Sequence, residues 1–134
     1  LFASTTGTDA DWIVKLIDVY PDFDPDNISM SGYQLPVAME VFRGRFRKSF
    51  STPVPLTPNK PEEFVIDLHD INHRFKKGHR LMIQVQSTWF PLSDRNPQQF
   101  VNIYEAKDED FVPCTVQLFR TQLGASGIVL PVQK

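Results

Sequence analysis

Cysteine is nearly absent: Cys114 is the only one, so no internal disulfide can form and the core alone must hold the fold. Charge of one sign is equally scarce. Fourteen basic against sixteen acidic residues leave a formal charge of -2, too weak a field to gather a polyanion, and this excludes nucleic acid as the expected partner. No run approaches the ~20 apolar residues that cross a bilayer, and no basic, apolar and small-residue series reads as a signal peptide. No membrane partner is therefore expected, and the compartment stays open. Helix-length windows are also missing. Eleven prolines are scattered from Pro21 to Pro131, each fixing φ and removing a backbone donor.

Apolar material is plentiful. Hydrophobic residues make up 41% and aromatics 12%, eleven of them Phe, enough to offset the ordering entropy of one domain. Between the prolines the apolar residues recur at period two, the spacing of strands with one buried face. Phe64, Ile66 and Leu68 share a face, as do Leu81, Ile83 and Val85, whereas Met82, Gln84 and Gln86 point the other way. Cys114 to Leu118 alternates likewise, and Ile128, Leu130 and Val132 end the pattern. Asp11 to Val19 is apolar on both faces and reads as a central strand. A long strand is predicted from about Val37 to Arg47, with Arg43, Arg45 and Arg47 on one solvent or interface face. Turns rich in Pro, Asp and Asn separate these runs. The pattern predicts one all-β domain over residues 1–134, a two-layer antiparallel β-sandwich of jelly-roll, galactose-binding-like type.

Sites of chemistry are hard to find. The G-x-S-x-G elbow of α/β-hydrolases is absent. Gly124-Ala125-Ser126-Gly127 has a glycine at the wrong offset and precedes a strand instead of a helix. His69, His73 and His79 do not converge if extended, because strand residues four apart stand roughly 13 Å from one another, and they read as structural or solvated. Asp22, Asp24 and Asp26 open like a calcium loop, but Asn27 and Tyr33 stand where its glycine and bidentate glutamate belong. No catalytic residue, metal ligand or cofactor is expected. Trp89-Phe90-Pro91-Leu92 is different, since large apolar residues in a loop mark either a contact surface or a satellite of the core.

The segment Asp9-Ala10-Asp11-Trp12-Ile13-Val14 through Tyr20-Pro21 resembles the C-terminal domain of the X-Pro dipeptidyl-peptidase and cocaine esterase family of serine hydrolases. Phe42-Arg43-Gly44-Arg45-Phe46-Arg47, Phe75 to Leu81, Ser87 to Pro91 and Asp94 to Pro97 agree in the same order. The wording is nearest to the α-amino acid ester hydrolase and glutaryl cephalosporin acylase branch. The resemblance implies a catalytic α/β-hydrolase module in the same polypeptide, holding the whole triad, and a non-catalytic jelly roll here that supports it and possibly its active-site rim. It also implies that the jelly roll begins before Leu1, leaving an apolar edge; Leu1-Phe2-Ala3-Ser4 reads as strand already under way. The rival reading is a free-standing carbohydrate-binding module, with Trp89 and Tyr104 or Tyr33 as a sugar platform. Two sets of residues carry the expectations: Trp89, Phe90 and Arg95 as an interdomain contact, and Arg80 with Asp11, or else with Asp18 or Asp94, as a buried structural ion pair. Gly78 is expected to turn the chain into the Arg80 strand with a positive φ.

Overall fold

The computed structural model describes residues 1–121 and 124–132. The strand apolar on both faces does lie at the centre of its sheet. β2 (Asp11–Val19) runs between β3 (Gln34–Arg43) and β5 (Arg80–Gln86), antiparallel to both. Eight of its nine residues are buried. The second sheet places β1 (Phe2–Thr5) between β4 (Glu62–Glu63) and β6 (Val116–Leu118), also antiparallel, and β7 (Arg120–Thr121) and β8 (Gly124–Ala125) form a small ribbon. The fold is the expected all-β sandwich.

Side chains from both sheets meet in one core. Ala3 of β1 and Trp12 of β2 cluster with Ala10, Leu56 and Phe64, and Phe42 and Val85 pack against them. The Trp12 and Phe64 rings lie 4.1 Å apart between centroids, and Phe42 meets Phe64 edge-on at 6.1 Å. Burying such a side chain contributes about 1.5–3 kcal/mol. Between Leu16 and Ile17 the β2–β3 register shifts, with Leu16 opposite Ala38 and Ile17 opposite Pro36. Val37 is the extra residue, and a bulge on this edge strand accommodates a proline that cannot donate to the ladder.

Four expectations need correction. The long strand does not reach Arg47: β3 ends at Arg43, and a 3-10 turn at Gly44–Phe46 follows. A Cβ on Gly44 would stand 2.7 Å from the Ala10 carbonyl oxygen and 2.8 Å from the Trp12 ring, so only glycine lets the chain turn this close to the core. In β5, Leu81 and Ile83 are 45% and 37% exposed, because the facing layer covers Val85 but not the strand beyond it. The run Phe64 to Leu68 keeps its predicted alternation of burial, yet only Glu62 and Glu63 are laddered. Ile128, Leu130 and Val132 form no strand, and the backbone ladder stops at Ala125 among the described residues. Gly78 does have the expected positive φ, at 89°.

Candidate interdomain surface and the buried charges behind it

The loop that follows β5 is exposed at its tip and locked at its root. Phe90 and Leu92 are 65% and 70% exposed. Trp89 is half-buried on the outer face of the β2 sheet, with the Lys15 ammonium 4.2 Å from its ring centroid. Arg95 is exposed, and its guanidinium lies 4.8 Å from the Phe111 ring and 5.7 Å from that of Phe90. These contacts hold an apolar and cationic tip in one shape. Lys15 and Phe111 carry no sequence signal for this role, since each is far along the chain from the loop it touches.

Asn96 fixes the root. It is 6% exposed; its Nδ2 donates to Asp9 Oδ2 at 3.0 Å and to Asp11 Oδ1 at 2.9 Å, and its Oδ1 accepts from the Gln98 N–H at 2.8 Å. One amide therefore ties the loop to the chain entering β2. Asp9 is wholly buried and takes a bond from Arg45 Nε at 2.7 Å. Arg45 Nη2 lies 2.6 Å from the same oxygen as a charge contact, outside hydrogen-bonding angles. The Arg45 guanidinium also stands 5.0 Å from the Phe100 ring. Arg43 reaches Asp11 at 4.0 Å and Asp94 at 3.5 Å. Arg47 donates to Glu62 at 2.8 Å and to the carbonyls of Gly44, Val54 and Pro55.

The three arginines are thus internal fasteners rather than one solvent face, because the turn at Gly44 breaks the strand period between them. The Arg80–Asp11 pair does not form. Arg80 opens β5 opposite Val19 with its side chain 69% exposed, and its carboxylate is Asp22 at 3.7 Å, itself 91% exposed. Such a surface pair contributes little, about 0–1 kcal/mol.

Burial pushes the Asp11 carboxyl up to about 6 from an ordinary 3.8, and nearby Asp9 acts in the same direction; the Asn96 bond and the positive charges of Arg43 and Arg45 oppose the rise. The folded chain therefore binds the Asp11 proton more tightly than the unfolded chain does. This penalty is absent below the unfolded value, grows as pH rises through the window, and is complete above about 6, so stability falls with rising pH there. At 1.36 kcal/mol per unit the full effect is about 3 kcal/mol. Asp11→Asn cannot titrate. Urea unfolding should show Asp11→Asn gaining on the wild type by up to about 3 kcal/mol between about pH 4 and about pH 7, and an unchanged difference would refute the assignment.

The remaining candidates are structural. Asp18, 1% exposed, accepts from His73 Nε2 and His79 Nδ1, both at 2.8 Å, and His69 Nε2 meets Glu40 at 2.9 Å. No group of three or more His, Cys, Asp or Glu able to hold a metal forms among the described residues. Asp24 Oδ1 accepts the N–H groups of Asp26 and Asn27, making a simple turn. No helix of the described residues is long and apolar enough to cross a membrane.

Residues 1–109 match the model of the X-Pro dipeptidyl-peptidase C-terminal non-catalytic domain. The chain belongs to this family. Along all 134 residues it is 31% identical to the cocaine esterase of Rhodococcus sp. (strain MB1 Bresler), of which it spans 22%. Among solved structures it is similar to an α-amino acid ester hydrolase, at 56% identity and a TM-score of 0.83, over 87% of this chain and 19% of that one. An aminopeptidase from a marine sediment Thaumarchaeota archaeon is similar at 52% identity and TM-score 0.83, over the same shares. The chain therefore spans only about a fifth of these relatives.

The side chains fit a non-catalytic family domain. Ser126 Oγ accepts the Phe2 N–H at 2.9 Å and donates to the Phe2 carbonyl oxygen at 3.3 Å, so its hydroxyl fastens this segment to the backbone of β1. Purified chain should show no hydrolysis of p-nitrophenyl esters, aminoacyl esters or X-Pro dipeptide amides above background. Turnover abolished by Ser126→Ala would overturn that. The sugar platform is not favoured: Lys15 occupies a face of Trp89, and Tyr33 packs edge-on against Tyr20 at 6.5 Å.

Proposed function

We propose that residues 1–134 form a single accessory domain whose Trp89–Pro97 loop docks on the catalytic α/β-hydrolase module of the same polypeptide. The hydrolase acts on acyl, peptide or ester bonds, and this domain braces it and contributes to its active-site rim. One observation carries the reading: Phe90 and Leu92 are exposed on a loop whose root is fixed by buried Asn96 and Pro97. Exposed aromatic and arginine side chains on a rigid support are the usual anchors of an interface, since little ordering entropy is lost when they bind. The relatives' names, an esterase, an ester hydrolase and an aminopeptidase, support the chemistry proposed for the whole protein. Hydrogen exchange tests the contact. Amides at 88–95 should be protected in the longer polypeptide relative to the 134-residue chain, and equal exchange in both would remove the loop from the interface.

A further inference from the structure

β2 ends at Val19, opposite Gln34 of β3 and Arg80 of β5. The β2–β3 connection, residues 20–33, and the chain entering β5, residues 74–79, therefore emerge at one end of this sheet. Asp11 and the loop root at Asn96 stand at the other. The two connections touch. The Tyr20 and His79 rings lie 4.4 Å apart between centroids, a Cβ on Gly78 would stand 3.8 Å from Pro21, and Arg80 reaches Asp22 at 3.7 Å. Their own hydrogen bonds hold them: Tyr20 N–H donates to the Tyr33 carbonyl at 2.9 Å, Gly32 N–H to that of Pro21 at 2.7 Å, and Asp24 N–H to Ser31 Oγ at 2.9 Å. Phe23 and Ile28 are nevertheless 67% and 70% exposed, and Tyr33 is exposed beside them. Large apolar side chains grouped on an internally bonded connection mark an association surface, since little ordering entropy is lost when they are covered.

Charge flanks these side chains with both signs. Asp22 and Asp26 are exposed on the first connection, and Lys76 and Lys77 are exposed on the second. Asp24 is spent on its own turn, accepting the N–H groups of Asp26 and Asn27. A partner of one charge sign would be attracted by one connection and repelled by the other. The same patch on a second copy meets no such conflict, because a two-fold rotation sets the acidic connection of each copy against the basic connection of the other. We propose that this end of the sandwich is an isologous self-association surface whose partner is a second copy of this chain. Contact there takes Phe23 and Ile28 of both copies out of water, and the methylene stems of the lysines add to that burial. The Trp89–Pro97 loop is rooted at the opposite end of the sheet, so loss of one contact leaves the other intact.

Sedimentation velocity tests this on the 134-residue chain, from micromolar to roughly millimolar concentration at low salt. The wild type should pass from monomer to dimer over that range, and about 1 M salt should shift it back toward monomer. Two charge-reversed variants decide the geometry: Asp22→Lys with Asp26→Lys, and Lys76→Glu with Lys77→Glu. All four positions are exposed, so the melting temperatures should stay near that of the wild type. Each variant alone sets like charges against one another and should dimerise roughly tenfold more weakly or worse. An equimolar mixture of the two restores opposite charges at both contacts and should dimerise as the wild type does. Trp89→Ala should also match the wild type, which separates this surface from the docking loop. A wild type that stays monomeric at millimolar concentration, or a mixture no stronger than its components, overturns the proposal. Protection of amides 22–28 in a monomeric complete polypeptide also overturns it, by giving this end of the sandwich to another module.

Discussion

Replacing Arg45 by methionine is expected to destabilise the domain by about 3–5 kcal/mol, the scale for removing one partner of a buried ion pair. Methionine retains apolar bulk but removes the charge and the Nε donor. Asp9 is wholly buried, its Oδ1 already lacks a partner among the described residues, and its Oδ2 would keep only the Asn96 amide. Such an uncompensated carboxylate must either bear the desolvation cost or take up a proton. For a chain of this size the loss corresponds to a fall in Tm of more than about 10 °C. The double variant Asp9→Asn with Arg45→Met should lose less than the sum of the single losses, because the residues share one interaction. A single-variant loss within about 0.5 kcal/mol would place Arg45 at the surface instead.

The central strand was legible because apolar residues on both faces of Asp11–Val19 require burial on both sides, and eight of its nine residues are buried. Period two also gave the correct faces of Phe64 to Leu68. It failed at Arg43, Arg45 and Arg47, where the pattern continues but the backbone does not: Gly44 is packed against Trp12 and turns the chain. Asp11 is expected to pair with an arginine, but the choice of Arg80 comes from its position at the head of an apolar strand. Register decides otherwise by placing Arg80 at an exposed strand end opposite Val19. The carboxylates that Asn96 ties together, Asp9 and Asp11, lie more than eighty residues away along the chain. The loop tip was legible by composition, whereas Lys15 and Phe111, which hold it, come from distant elements and show themselves only in three dimensions.

Trp89→Ala combined with Arg95→Ala should have its large effect outside this chain. Lys15 over the half-buried Trp89 and Arg95 over Phe111 are cation–π contacts near the surface, about 0.5–1 kcal/mol each, and the loop root at Asn96 and Pro97 is untouched by either change. The isolated domain should therefore lose little. At an interface, truncating a central aromatic or arginine anchor costs about 2–4 kcal/mol, enough to release the domain from its neighbour and to disturb an active-site rim that depends on it. The deciding measurement is the melting temperature of the double variant in the 134-residue chain, set beside the melting temperature and hydrolytic activity of the same variant in the complete polypeptide. A drop of no more than about 5 °C in the first, with early unfolding and at least roughly tenfold lost activity in the second, is the predicted result. Equal losses in both would show that the loop serves only its own domain, and unchanged behaviour in both would contradict the docking role altogether.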